Sequence, residues 1–445
     1  MTKDNELFGH PKGLFVLFFT EMWERFSYYG MRAILVLYLV TQTTGDNPGL
    51  GWTTGEALAL YGWYTMLVYV ASIPGGWIAD RILGQKKSVL IGGLTLCVGH
   101  GILAVEEMWA FYTGLGLIIA GVGLLKPNIS TMVGGLYAPG DSRRDKGFTI
   151  FYIGINIGAF LSSLLVGVVG ELYGWHYGFG LAGIGMLLGQ VVYMAGQKHL
   201  SEVGNLLKHT DNPEAKAKFD QPLTKIEKDR VIVLLLSFLI VIVFWGAFEQ
   251  AGGLMNIYTL EKTNRVIAGM TIPASVFQSL NAAFIILLGT TVAGYWVKRS
   301  SKNKEASSLF KMAVGTMIMG LGFLFMTAAS AQFEANGESA MYWLVFAYLF
   351  HTIGELCASP VSLSFITKLA PVKYGSIMMG IYFAMTGFGN KLAGLLGESA
   401  AELGEFVIFT GIAVFCVIFG LLILTLLKKL KAMTHGAEDN EVELS

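Results

Sequence analysis

Charge is what this 445-residue chain is short of. Asp, Glu, Lys and Arg together make up 14% of it, where soluble domains run near 25%. With 54% hydrophobic residues and a mean hydropathy of +0.58, that scarcity excludes a soluble globular protein. Thirty-one basic residues balance 31 acidic ones, so no basic surplus points to nucleic acid. Cysteine is scarce too. Cys97, Cys357 and Cys416 all lie in apolar runs, their number is odd and their spacing suits no metal. They read as small buried hydrophobes, and neither a metal site nor a bound cofactor is expected. GxxxxGK[ST] is absent, which argues against direct ATP use. HExxH is absent and no Asp lies within an apolar run, which weakens an intramembrane protease. The glycine-rich stretch 114–123 follows no strand, so it reads as helix packing rather than a dinucleotide loop. No enzyme is expected. No cleavable leader is evident, because the first apolar run is of full length and carries Glu21 and Arg25.

What the chain has is long apolar runs. Those near 14–40, 54–79, 88–105, 109–134, 147–171, 177–197, 231–258, 274–297, 312–331, 341–366, 375–397 and 405–427 are each long enough to cross a bilayer as a helix. The connecting loops alternate in basic content. One side holds 25 of the 31 Lys and Arg, the other only Lys262 and Arg265; Arg25, Arg32, Lys126 and Lys391 lie within runs. A wrong helix count would scramble this alternation. The positive-inside rule places both termini in the cytoplasm. The polar stretch 199–230 divides the helices six and six and reads as a cytoplasmic linker, with a surface helix near 214–219. The expected fold is all-α and integral to the membrane: a six-helix bundle over 1–198, the linker, a second bundle over 231–430, and an acidic tail over 431–445. Two such bundles fit a rocking secondary transporter.

The chemistry lies in charges placed where a bilayer disfavours them, each at about 2.5–3.5 kcal/mol on insertion scales. The first run reads Glu21-Met22-Trp23-Glu24-Arg25-Phe26-Ser27-Tyr28-Tyr29-Gly30. At about 100° per residue, Glu21, Arg25, Tyr28 and Arg32 share one stripe, with Glu24 and Tyr29 at its edges. Glu21 and Arg25 are spaced to pair. A purely structural pair would not need two acids, two arginines and two tyrosines. The stripe reads as a cavity wall with a proton-titratable carboxylate: an incoming anion that draws the arginine away leaves the acid to take up a proton. Lys126 lies inside the fourth run, ahead of Pro127. Tyr152 and Asn156 lie one turn apart in the fifth, where an amide can serve a peptide-like ligand or glue helices. The second half offers Glu249, Glu355 and Asn281, so cations predominate in one half and anions in the other. A zwitterion such as a short peptide suits that pattern. His100 and Lys391 have no evident role and read as structural; His351, one turn before Glu355, is the one basic residue near that acid on its own helix, and its role stays open. In the loop 75–87, Gly75 and Gly84 allow close packing, and Asp80, beside Arg81, can cap a helix or pair with a basic residue.

The pattern ExxERFxYYG at Glu21–Gly30, the loop 75–84, the stretch 148–160, and Gly354-Glu355 with Ser359-Pro360 resemble the proton-dependent oligopeptide transporters of the major facilitator superfamily, over almost the whole chain. The resemblance implies alternating-access symport of di- and tripeptides with protons across the bacterial cytoplasmic membrane, driven by the proton gradient, by a chain working as a monomer. By analogy, Glu21, Glu24, Arg25 and Glu249 would couple protons. Arg25, Arg32 and Lys126 would face the peptide carboxylate and Glu355 its amino terminus. Tyr29, Tyr69, Tyr152, Asn156, Asn281 and Ser359 would bond the peptide, while Trp245 and Tyr382 would line side-chain pockets. Arg32–Glu249 and Lys126–Glu355 would be gating pairs, and Gly75, Asp80, Arg81 and Gly84 would form the superfamily's conformational loop. The linker is too short for the two extra helices of many bacterial members. Asn281-Ala282 stands where relatives often have Asn-Pro, and Tyr382 where Trp is expected. The alternatives are a related carrier for another organic anion or amine, and a membrane receptor or scaffold, which need not keep charges at the midplane.

Overall fold

The computed structural model describes residues 6–138, 141, 143–206, 222–371 and 375–437. The expected surface helix near 214–219, Lys373 and most of the acidic tail lie outside them. The described residues form twelve helical rods, six before the linker and six after it. The first six are α1 (Lys12–Val40), α2 with α3 (Thr54–Val70, Ser72–Ile78), α4 (Gln85–Leu103), α5 (Met108–Gly135), α6 (Arg144–Tyr173) and α7 (Trp175–Ala195). The second six are α8 with α9 (Lys225–Phe248, Leu254–Lys262), α10 (Ser279–Ser300), α11 (Ser308–Asn336), α12 (Tyr342–Leu369), α13 (Gly375–Leu403) and α14 (Glu405–Met433).

Local chemistry sets the ends of these rods. Thr53 and Glu56 form a capping box at the start of α2, and Thr224 with Glu227 does the same for α8. That second box explains why α8 begins several residues ahead of the apolar run at 231. Two rods expected to be single helices are broken. Ala71 divides α2 from α3, and a 3₁₀ turn at Glu249–Ala251, followed by Gly252-Gly253, divides α8 from α9. By length and composition, nine helices among the described residues can cross a membrane. α1 is not one of them, because Lys12, Glu21, Glu24, Arg25 and Arg32 interrupt it.

Packing divides the chain into two compact units. The first comprises the described residues of Met1–Leu207 with Ala251–Glu261 and Arg265–Ile286; the second comprises those of Lys208–Gln250, Lys262–Asn264 and Leu287–Ser445. In the first, α1 packs on α6 and α7, and α4 on α5 and α7. In the second, α11 packs on α12 and α14, and α8 on α13, around a core that includes Val233, Phe238, Met312, Phe365 and Ile423.

The loop after α3 is tied down by backbone rather than by its acid. A π turn (Ala79–Leu83) leads to Gly84 at φ +78°, a conformation that favours glycine, and α4 starts at the next residue. The N–H of Lys86 then donates to the Gly204 carbonyl at 2.8 Å. Asp80 stands five residues ahead of Gln85, out of reach of the N–H groups at the start of α4. It is exposed and, among the described residues, neither caps a helix nor pairs with a base, so the expected cap or pairing is not formed. Gly75 lies so close to α5 that an added Cβ would overlap the Gly123 carbonyl. Gly75→Ala is expected to destabilise the protein by about 1–3 kcal/mol through overpacking, seen as a lower melting temperature in detergent. Outside the membrane, Arg143 gathers the segment before α6. It bonds Asp141 at 2.9 Å and Glu6 at 2.9 Å, and its hydrogen bonds hold the Asp141 carboxyl below the usual range.

Candidate functional site

In the first unit the expected stripe on α1 is a charge cluster buried in protein. Arg25 Nε lies 3.1 Å from Glu21 Oε1 and also bonds the Glu24 carboxylate. Glu24 is fully buried, and Glu21 and Arg25 are 3% exposed. One guanidinium thus serves two carboxyl groups. A second carboxylate beside a pair already satisfied is a poor structural choice, because burying it is expensive. The Arg25 Cζ lies 5.6 Å and 5.7 Å from the ring centroids of Tyr28 and Tyr29. Tyr29 also receives Arg32, whose Cζ lies 4.9 Å from the centroid, so one ring face-pairs with two cations. On the neighbouring rods Lys126 Nζ sits 3.6 Å from the centre of the Tyr69 ring. Tyr69 lies at the end of α2 beside the Ala71 break, and Lys126 lies one residue before Pro127 within α5. Lys126 thus rests on an aromatic face within the unit.

The glycines of α6 hold α1 against it. Added Cβ atoms on Gly154 and Gly158 would meet Phe18 and Met22 of α1, and the Gly158 Cβ would lie 3.1 Å from Arg25 Cβ. Asn156 lies between them. Its side-chain amide donates to the Tyr152 carbonyl at 2.9 Å, one turn back, so one donor is already committed to its own helix. Tyr152 is 41% exposed.

In the second unit Trp245 and Ser359 line one small hollow with Ser362. Ser362 Oγ lies 3.2 Å from the hydroxyl of Tyr382, which is buried. Ser362 was missed by sequence reasoning. Its position three residues after Ser359, past Pro360, was the available signal. Glu355 is partly buried on α12, where Gly354 brings α11 close, an added Cβ there lying 2.7 Å from the Gly315 carbonyl. Glu249 is buried in the 3₁₀ turn that interrupts its rod. Asn281, near the start of α10, belongs by packing to the first unit.

His100 and His351 are buried, and no ring nitrogen of either has a hydrogen-bond partner among the described residues. His351 packs on Phe323 with ring centroids 4.4 Å apart. Lys391 pairs with Glu398 at 3.4 Å. Among the described residues no group of three or more His, Cys, Asp or Glu could hold a metal ion.

The family model described as the POT family matches residues 86–212 and 212–406. The chain belongs to the POT family. A di-/tripeptide transporter of Lactococcus lactis subsp. cremoris is 37% identical, with 85% of this chain and 88% of that protein covered. A POT peptide transporter crystallised as a mutant with alafosfalin is 36% identical, with a TM-score of 0.87 and 96% of both chains covered. A POT-family transporter crystallised with 5-aminolevulinic acid is 30% identical at a TM-score of 0.87, over 96% of this chain and 98% of that one. The POT chain is thus a multi-pass membrane protein with the major facilitator fold, of twelve helices in two six-helix bundles, and its relatives are transporters rather than enzymes.

Proposed function

We propose that this POT-family chain is a proton-coupled symporter that imports di- and tripeptides by alternating access across the bacterial cytoplasmic membrane. Both termini face the cytoplasm, and the chain works as a monomer without a cofactor. The observation that carries the reading is the buried trio of Glu21, Glu24 and Arg25. Arg25 can leave one acid only if something anionic draws it or a proton replaces it. A peptide carboxylate entering beside Arg25, Arg32 and Lys126 competes for the guanidinium, and Glu21 then takes up a proton from the outside. Release inside reverses both steps, so proton and peptide move together. In this reading Glu355 receives the peptide amine. Tyr29, Tyr69, Tyr152, Asn156, Asn281 and Ser359 supply polar contacts, Asn156 chiefly through its free carbonyl oxygen. Trp245 and Tyr382 shape the side-chain pocket. Arg32 with Glu249, and Lys126 with Glu355, serve as pairs that exchange partners during the cycle.

The test is uptake of labelled dialanine into liposomes holding the purified protein, under an imposed inward proton gradient. Accumulation that collapses with a protonophore, together with proton entry that needs peptide, is the expected result. Equal counts with and without the gradient refute coupling. A second reading has one observation behind it, the relative bound to 5-aminolevulinic acid, a small amine-bearing carboxylate. If such compounds compete with dialanine more strongly than peptides do, the cargo is another amine-bearing organic anion on the same scaffold.

A further inference from the structure

The last two turns of α6 carry a pair of features that the coupling cluster does not use, and both meet the 3₁₀ turn Ala274–Gln278 that leads into α10. Glu171 accepts three hydrogen bonds from that turn: the N–H of Ala274 at 2.8 Å, the N–H of Ser275 at 2.7 Å and the Ser275 hydroxyl at 2.5 Å. Arg265 lies 3.9 Å away, and the Glu171 side chain is only 8% exposed. Gly167, one turn earlier and on the same stripe of α6, faces the same serine. An added Cβ there would lie 3.0 Å from Ser275 Cβ and overlap its hydroxyl oxygen.

A glutamate at the rim of a membrane span ordinarily reaches water. This one is withdrawn from water and occupied by donors about a hundred residues away in sequence. The segment it holds is part of the first unit, although α10 ends in the second. The same turn reaches α1 through Gln278, whose side-chain amide donates to the Ala33 carbonyl at 3.4 Å, and Ala33 is fully buried. These contacts lie on the side whose loops carry only Lys262 and Arg265, the outer side by the positive-inside rule.

We propose that Glu171 is the latch of the outer face. It holds the turn Ala274–Gln278 on the Gly167 stripe while the outer path is shut, and releases its three donors when that path opens. Charge-assisted bonds to a carboxylate shielded from water are strong. At the membrane rim, water can satisfy both sides after release, so the latch can open and close repeatedly. Glu171 touches no cargo; it is a positioning residue for alternating access, and this inference rests on that reading of the protein.

The experiment uses the full chain in cells, with Cys97, Cys357 and Cys416 replaced by Ala and Ala33→Cys as the only thiol. A membrane-impermeant maleimide is added from outside, and the rate of labelling is measured without substrate. With Glu171 intact, labelling is expected to be slow. Glu171→Ala should speed it about tenfold, corresponding to about 1.4 kcal/mol, and Glu171→Gln by less, since the amide keeps one acceptor oxygen. Gly167→Leu, with the carboxylate intact, should speed labelling too. If Glu171→Ala does not elute as a single species, Ser275→Ala and Gly167→Ala carry the same expectation. Unchanged labelling in folded variants at both positions overturns the latch. The assay needs no cargo, so a chain that labels faster yet never accumulates dialanine overturns the transport reading and keeps the latch. The converse result does the opposite.

Discussion

Glu21→Gln is expected to abolish concentrative uptake while leaving peptide exchange down a gradient. The geometry gives the reason. Arg25 is held by two carboxylates, at 3.1 Å from Glu21 and in direct contact with Glu24. Glutamine keeps the shape of Glu21 and can still accept from Arg25, so the helix should pack as before. It cannot gain or lose a proton, so binding the peptide no longer changes the protonation of the cluster. One net inward charge at 100 mV is worth about 2.3 kcal/mol, roughly a fiftyfold concentration ratio. Accumulation of a neutral peptide should therefore fall from about fiftyfold towards unity. The measurement is the plateau of labelled dialanine in liposomes at a set potential, beside counterflow in the same vesicles. A plateau that survives in Glu21→Gln would show that the proton travels elsewhere.

The second large effect is expected at Lys126. Its ammonium lies over the Tyr69 ring at 3.6 Å, which keeps it inside the unit at a low cost in hydration. Removing a charged hydrogen-bond partner costs about 1.5–3 kcal/mol, so Lys126→Ala should raise the KM for dialanine roughly ten- to a hundredfold. The discriminating comparison is a C-terminally amidated peptide. It lacks the carboxylate, so it should bind weakly to the normal protein and no worse to the variant. An equal loss for both ligands would mean that Lys126 supports the fold instead of reading the carboxylate.

Much of this was legible before any coordinates. Twelve apolar runs become twelve rods because length and hydropathy decide membrane crossing with little help from tertiary contacts. The α1 stripe was legible for a related reason: charges spaced three and four apart within an apolar helix must share a face. What stayed hidden depends on partners remote in sequence. Asp80 looked like a cap, yet the π turn and Gly84 place the start of α4 beyond its reach. Nothing near Glu171 in sequence announces its partners Ala274 and Ser275. The breaks at Ala71 and Glu249 fall inside apolar stretches that hydropathy cannot divide.

The burial of α1 also bears on how the protein is made. A helix carrying Glu21, Glu24, Arg25 and Arg32 partitions poorly into lipid when alone, and the helices it packs against, α6 and α7, lie far downstream. At ordinary synthesis rates the ribosome needs on the order of ten seconds to travel from Val40 to Arg144. Through that interval α1 lacks the two helices that bury most of its charged stripe, so the emerging chain depends on the insertion machinery to shelter its most polar span until they arrive.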